Sequence, residues 1–450
     1  MARAGGSRRA GGLTGVGRRD VMAAEDVDGP HNERYGCMNS RERVRKALNY
    51  EPVDRVPIDL GAMRASGISA RVYAQLKERL GLDGPVKVLD PMQILAEVEP
   101  SVLKACHIDV VPLEGINAAW CDAPADAGVA ETLPNGQRVW FPPGTRIRKE
   151  PDGAWVLLNA AGEPYARMPA GGLYFDFIRP TMAASTIDPG KFRPASTVPD
   201  AQLDAVATRA EHLYANTDKA IFGWGASISF FGLSALLSDN ITQGSLDEWL
   251  VMLMTEKETA TDMMGRATDA AIALAKLYHQ AAGDKIMIWG VASDDGGTQR
   301  SGLIRPELFA ELMLPHYRRF CEWVHAHTGW KTFVHSCGAV ADYVDGWIDA
   351  GVDILNPVQI SADGMDPATL MDRFGKRVVF WCGGCDTQHV LPLGTPDEVR
   401  EPVRANLDAF DALSGGFVFN QVHNIQADVP VENVMAMLDA AYTYGRPRTG

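Results

Sequence analysis

From Ile286 to Tyr444 the chain repeats one unit: a short run of branched and aromatic residues, then a stretch with helical periodicity. Five such units follow one another, with strands expected at Lys285–Val291, Lys331–His335, Val352–Pro357, Arg377–Trp381 and Gly416–Phe419. Neighbouring parallel strands need helical crossovers, so an unbroken strand–helix order commits this half of the chain to a parallel sheet. Pro306, Pro396 and Pro430 mark helix starts, where a missing amide proton does no harm.

Three more strands are expected upstream, at Val56–Leu60, Ile108–Leu113 and Ala220–Gly225. Three and five make eight, and the simplest closure is an α/β fold of the (β/α)8 TIM-barrel type. An open doubly wound sheet is the alternative, but no glycine-rich phosphate loop follows the early strands. Helices are expected at Arg41–Asn49 (capped by Ser40), Ser69–Leu80, Pro91–Cys106 and Asp200–Asn216, with a long helical region ending at Ala282. Residues 126–168 differ: Pro134-Asn135-Gly136, Pro151-Asp152-Gly153 and Ala161-Gly162-Glu163 punctuate short β-prone pieces. That pattern predicts a small β-meander insertion.

Residues 1–37 are rich in Gly and Arg and cannot build a core, so they are expected to form a disordered extension before a barrel spanning 38–450. They lack the apolar middle of a signal peptide, and translation from Met38 is the plain alternative. The formal charge of −14 argues against non-specific nucleic-acid binding. Seven cysteines in so long a chain point to reduced thiols. The apolar stretch Ile221–Leu237 is broken by Gly and Ser, so no membrane span is expected, and the protein reads as a cytoplasmic enzyme.

In a barrel the chemistry is carried by the C-terminal ends of the strands. Read off in order, these ends present Asp59, Glu114, Ser227, the pair Asp294-Asp295, His335 with Cys337, Asn356, Cys382 with Cys385, and Gln421 with His423. Asp59, Glu114 and Asp294 are candidate catalytic acids, and Ser227, Asp295, Asn356 and Gln421 candidate substrate contacts. For Asp294-Asp295, a solvated turn and a role at the barrel mouth stand level. His335 and Cys337 lie two apart in extended chain, so imidazole and thiol point the same way, a pair that suits zinc. A catalytic zinc needs about three protein ligands, and Cys385, Cys382 and His423 compete for the third place. Without metal, Cys337 would be a small apolar residue and His335 a hydrogen-bonding imidazole. The spacing of Cys382 and Cys385 matches a redox pair, but no thioredoxin-like unit surrounds it, and two incidental cysteines is the stronger reading. His316, His325 and His327 fall in helical text and read as packing or surface residues. Tyr174–Phe177 is either a flap over the mouth or simple packing of the insertion.

Several stretches resemble the uroporphyrinogen decarboxylase-like superfamily: Arg43–Leu48 followed by Glu51–Pro57, then Phe333–Gly338, Gly351–Pro357, Gly383–Thr387, Gly394–Val399, Val422–Ile425 and Val429–Asn433. The resemblance runs from about Met38 to the C-terminus and implies a (β/α)8 barrel. It implies one of two activities: cofactor-free decarboxylation of a carboxylated tetrapyrrole, or zinc-dependent methyl transfer from a cobalamin (corrinoid) carried by a partner protein. The decarboxylases grip substrate carboxylates with an Arg-rich segment at the first strand, where Ile58–Gly67 keeps only Arg64. The methyltransferases use a His-x-Cys pair, matched by His335 and Cys337, plus a distant Cys near the last strand, where this chain has His423. The third ligand is thus His423 by position or Cys385 by chemistry. The resemblance favours the methyltransferases, with a corrinoid-binding protein and a small methyl donor or acceptor as partners; a homodimer is compatible with such a chain.

Overall fold

The computed structural model describes residues 37–114, 118–178, 187–225, 227–231 and 246–447. The expected disorder of residues 1–36 and the start of the long helical region lie outside them. Branched and aromatic runs become seven parallel strands in one sheet: Val110–Pro112, Ala220–Gly223, Ile288–Ser293, Lys331–His335, Ile354–Asn356, Val379–Trp381 and Phe417–Val418, each paired with the next in chain order. Counting the segment at Ile58 as the first strand, these are the second to the eighth. The sheet closes through that segment. Phe419 N donates to Pro57 O at 2.8 Å and Asp59 N to Phe419 O at 2.9 Å, while Asp109 N donates to Ile58 O at 2.8 Å. The first strand therefore lies between the eighth and the second, and the fold is a (β/α)8 barrel.

Side chains alternate across the strands. Val110, Phe222, Ile288, Phe333, Ile354, Val379, Trp381 and Val418 form one apolar cluster inside the barrel. Phe222 and Phe333 meet edge to face there, with centroids 4.9 Å apart. A second, larger cluster fills the space between the strands and the surrounding helices.

The helix Ser40–Leu48 closes the barrel at the N-terminal ends of the strands. It contributes Val44 and Leu48 to the inner cluster, and Gly416 N, just before the eighth strand, donates to Ala47 O at 2.7 Å. Below it lies a buried ionic knot. Asp109 accepts from Arg43 Nη1 at 2.8 Å, from Arg55 Nη1 at 2.6 Å and from Ile58 N at 2.9 Å. Arg43 also pairs with Asp54 at 2.7 Å. The Arg43 and Asp54-Arg55 stretches are thus structural, stapling the first strand to the second at the end away from the mouth.

Two helix expectations change. The cap of the first helix is Asn39, whose side chain accepts from Glu42 N at 2.9 Å; Ser40 is already helical. Pro91–Cys106 is not one helix. Ile94 adopts φ +51°, Leu95–Ala96 pairs antiparallel with Val88–Asp90, and only Pro100–Ala105 is helical. A proline inside a helix removes a backbone bond, whereas at the first position it starts one, and Pro100 takes that place.

The insertion is a hairpin (Val129–Thr132 with Arg138–Phe141) followed by a four-stranded antiparallel sheet from Arg146–Lys149 to Asp176–Phe177. The expected meander thus extends past residue 168. Phe175 is buried and bonded to Met92 O, while Tyr174 and Phe177 are exposed. Among the described residues no helix is long and apolar enough to cross a membrane.

Candidate metal centre

Phe333 points into the barrel, so His335, two residues on, faces the same interior at the mouth. The chain then turns at Gly338, with φ +95°. Backbone bonds zip this loop to the one after the fourth strand: Asp294 N to His335 O at 2.9 Å, Gly297 N to Cys337 O at 3.1 Å and Ala339 N to Thr298 O at 2.8 Å. Ser336 Oγ accepts from Gly296 N at 2.9 Å. Two glycines make the close approach feasible, since a Cβ on Gly338 would stand 2.3 Å from the Gly297 carbonyl.

This loop leaves Cys337 Sγ 3.5 Å from His335 Nε2. His423, from the loop after the eighth strand, brings its ring centroid to 5.7 Å from that of His335. One donor atom from each of His335, Cys337 and His423 lies within 4.8 Å of the others, close enough to share one ion. Among the described residues no other His, Cys or acidic group forms such a cluster.

Burial and the neighbouring His335 push His423 down to about 4, against Asn424 and Asp295, so its ring is neutral at pH 7 with a free lone pair. Burial pushes the Cys337 thiol far up, and the Asp295 carboxylate adds to this. Burial would raise Asp295 too, but His335, its bonds to Cys337 and His423 hold it below the usual carboxylate range. Its Oδ1 accepts from Cys337 N at 3.2 Å and stands 3.7 Å from His335 Nε2, with the side chain 66% exposed. A soft sulfur, two imidazole rings and a nearby carboxylate fit a divalent ion of the zinc kind.

The structure sorts the other candidates. Cys385 is fully buried, its Sγ facing Asp386 O at 3.9 Å, outside the cluster. Cys382 accepts from Val358 N at 3.1 Å and faces Val422 O at 3.4 Å, so both thiols of the CxxC pair are packing groups, and both are free. His316, His325 and His327 lie on the helix Leu314–His327, away from the centre.

Asp59 is wholly enclosed. Its Oδ1 accepts from Ala62 N at 3.0 Å and its Oδ2 from Trp381 Nε1 at 2.9 Å, and burial pushes its carboxyl up to about 6. Asp294 binds Phe231 N through Oδ2, tying the loop after the third strand to the fourth. Ser227 is buried in that loop beside Ile228, whose N donates to Val291 O at 2.8 Å. Gln421, expected to touch substrate, is buried. It donates to Ser66 O at 3.2 Å and accepts from Asn420 Nδ2 at 3.1 Å, so its amide joins the first and eighth strands. Asn356, expected in the same role, holds the His335 ring instead, at 2.6 Å.

Glu114, like Asp59, is an acid whose carboxyl is raised by burial. It is buried at the end of the second strand with φ +51°, and burial raises its carboxyl, opposed by Arg64 and reinforced by Asp90. Asp90, an ion-pair partner of Arg64, also accepts from Gln93 N at 2.8 Å, and Gln93 in turn meets Asn424, next to His423. This polar line from Arg64 to the centre left no trace in the sequence, because its members come from three separate loops.

Known proteins place this architecture. The uroporphyrinogen decarboxylase of Xanthomonas euvesicatoria is 23% identical over 430 residues, spanning 91% of this chain and 100% of that protein. The uroporphyrinogen decarboxylase of Methylibium petroleiphilum is 25% identical over 232 residues, 50% of this chain and 58% of that protein. Among solved structures, a methyltransferase from Methanosarcina mazei shares the fold with a TM-score of 0.54 at 16% identity, over 90% of this chain and 98% of that one. Residues 170–444, more than half of the chain, match the uroporphyrinogen decarboxylase (URO-D) family, and the chain belongs to it.

Proposed function

We propose that this protein is a zinc-dependent methyltransferase that moves a methyl group between a corrinoid carried on a partner protein and a thiol or a methylated small molecule. The observation that carries this reading is the convergence of His335, Cys337 and His423 donor atoms within 4.8 Å at the barrel mouth. A decarboxylase that needs no metal has no use for such a cluster. It does need several cations for its carboxylated substrate, and the first-strand loop offers Arg64, already paired with Asp90.

In this reading His335 Nε2, His423 and the Cys337 sulfur would hold the ion. Bound zinc would supply the positive charge that makes a coordinated thiol ionise at neutral pH. The proton of the incoming thiol would pass to solvent at the mouth, since Asp295, held below the usual carboxylate range and bonded to Cys337 N, is too weak a base to keep it. The sulfur of that thiol would then attack the methyl carbon. A sulfur–carbon bond would form as the methyl–cobalt bond of the corrinoid substrate breaks, its electron pair staying with cobalt. Zinc analysis of the purified protein tests the reading, with about one ion per chain expected and its loss in Cys337→Ala. Full activity of a metal-free native preparation would overturn it, and turnover of uroporphyrinogen without metal would favour the decarboxylase.

A further inference from the structure

The His335 ring has two nitrogens, and only one is free to face the cluster. Nδ1 lies 2.6 Å from Asn356 Oδ1. The two residues sit side by side in the fifth and sixth strands, in direct register. Asn356 is fully buried, and its Nδ2 donates to Trp381 O, in the seventh strand, at 3.0 Å. That second bond settles which way the amide faces. Turned over, Asn356 would set its carbonyl oxygen against the Trp381 carbonyl, two acceptors at hydrogen-bond distance in a site without water access. With Oδ1 toward the ring, Nδ1 must carry the proton, because only a donor can meet that oxygen. In the neutral ring, Nε2 then holds a lone pair. The 3.5 Å contact with Cys337 Sγ admits this arrangement and the reverse, since sulfur can donate to the ring or accept from it. Asp295 Oδ1 would favour the opposite tautomer, but at 3.7 Å it is beyond hydrogen-bond range, and the 2.6 Å bond decides.

We propose that Asn356 is the positioning residue of this centre: held by the Trp381 carbonyl, its amide locks His335 in the Nδ1–H tautomer and aims the Nε2 lone pair at the Cys337–His423 cluster. Metal-ligating histidines commonly depend on such a partner for their other nitrogen. The lock acts before any ion arrives, since all three groups are in place in the chain itself. Its functional consequence rests on the metal reading proposed above, whereas the tautomer does not.

The test uses the metal-free full chain labelled with 15N-histidine. Long-range 1H–15N correlation at pH about 8.5, above the ordinary imidazole range, reads each ring's tautomer, with His335 assigned by its absence in His335→Gln. The expected result is a protonated Nδ1 and a bare Nε2 for His335. In Asn356→Leu the preference is lost, and the dissociation constant for zinc rises about 10–100-fold. Asn356→Ala removes the acceptor without adding bulk and is expected to lose the preference likewise, which keeps the test readable should the leucine variant fail to fold. An Nε2–H tautomer or an even mixture in the unaltered protein overturns the proposal, as does an unchanged tautomer in Asn356→Leu. A locked Nδ1–H tautomer in a protein that takes up no zinc upholds the proposal and overturns the metal reading.

Discussion

The sulfur of Cys337 stands 3.5 Å from Nε2 of His335, and both are held there by backbone bonds between the loops that follow the fourth and fifth strands. This contact is a product of loop geometry, and the centre answers to changes well away from the donor atoms.

The third donor separates the two sequence alternatives. His423→Ala should weaken zinc binding by at least about tenfold, because a site with two protein ligands holds zinc poorly. Cys385→Ala should leave the zinc content unchanged, since that thiol is buried outside the cluster. Metal titration of both variants checks this, and the reverse pattern would transfer the ligand role to Cys385.

Gly338→Ala should damage the centre without touching a donor. The new Cβ would fall 2.3 Å from the Gly297 backbone at φ +95°, so one loop must move and carry Cys337 with it. A stability loss of about 1–3 kcal/mol is expected from the strained backbone alone. Urea unfolding together with zinc titration measures both effects.

Asp59 should make stability depend on pH. Its folded carboxyl is raised from 3.8 to about 6, so the folded state holds a proton that the unfolded chain has released. The resulting stabilisation is fully present below about pH 4 and is lost as pH rises through about 6. The gap between the folded and unfolded values is worth about 3 kcal/mol. Asp59→Asn should flatten that part of the profile, as read from urea midpoints between about pH 4 and pH 7.

Asp109→Ala should cost about 3–5 kcal/mol, because it leaves Arg43 and Arg55 buried without their shared carboxylate. Asp109 lies at the opposite end of the barrel from the centre. Zinc affinity of the folded variant should therefore stay within about twofold of the original, a comparison made by calorimetric titration at a temperature where it remains folded.

Much of this was legible in the chain itself. Hydrophobic runs and helix starts located all eight strands, because strand periodicity and proline placement are local properties. Local sequence also placed His335 and Cys337 on one side of the fifth strand's end. Where the local text was ambiguous it misled: Pro91–Cys106 reads as helical, but bonds to Ile68 and Ala70 draw its first half into a strand.

What remained undecided depended on which strand ends become neighbours. Closure of the barrel by Pro57–Asp59 brings the eighth strand's loop round, so that His423, and not Cys385, reaches His335. Pairing of the fifth and sixth strands makes Asn356, and closure makes Gln421, an internal brace. The sequence alone determined the strand–helix order and the residue types at each strand end, since these follow from neighbours along the chain. The pairing of those ends was decided only by the tertiary structure, because it arises from contacts between residues tens to hundreds of positions apart.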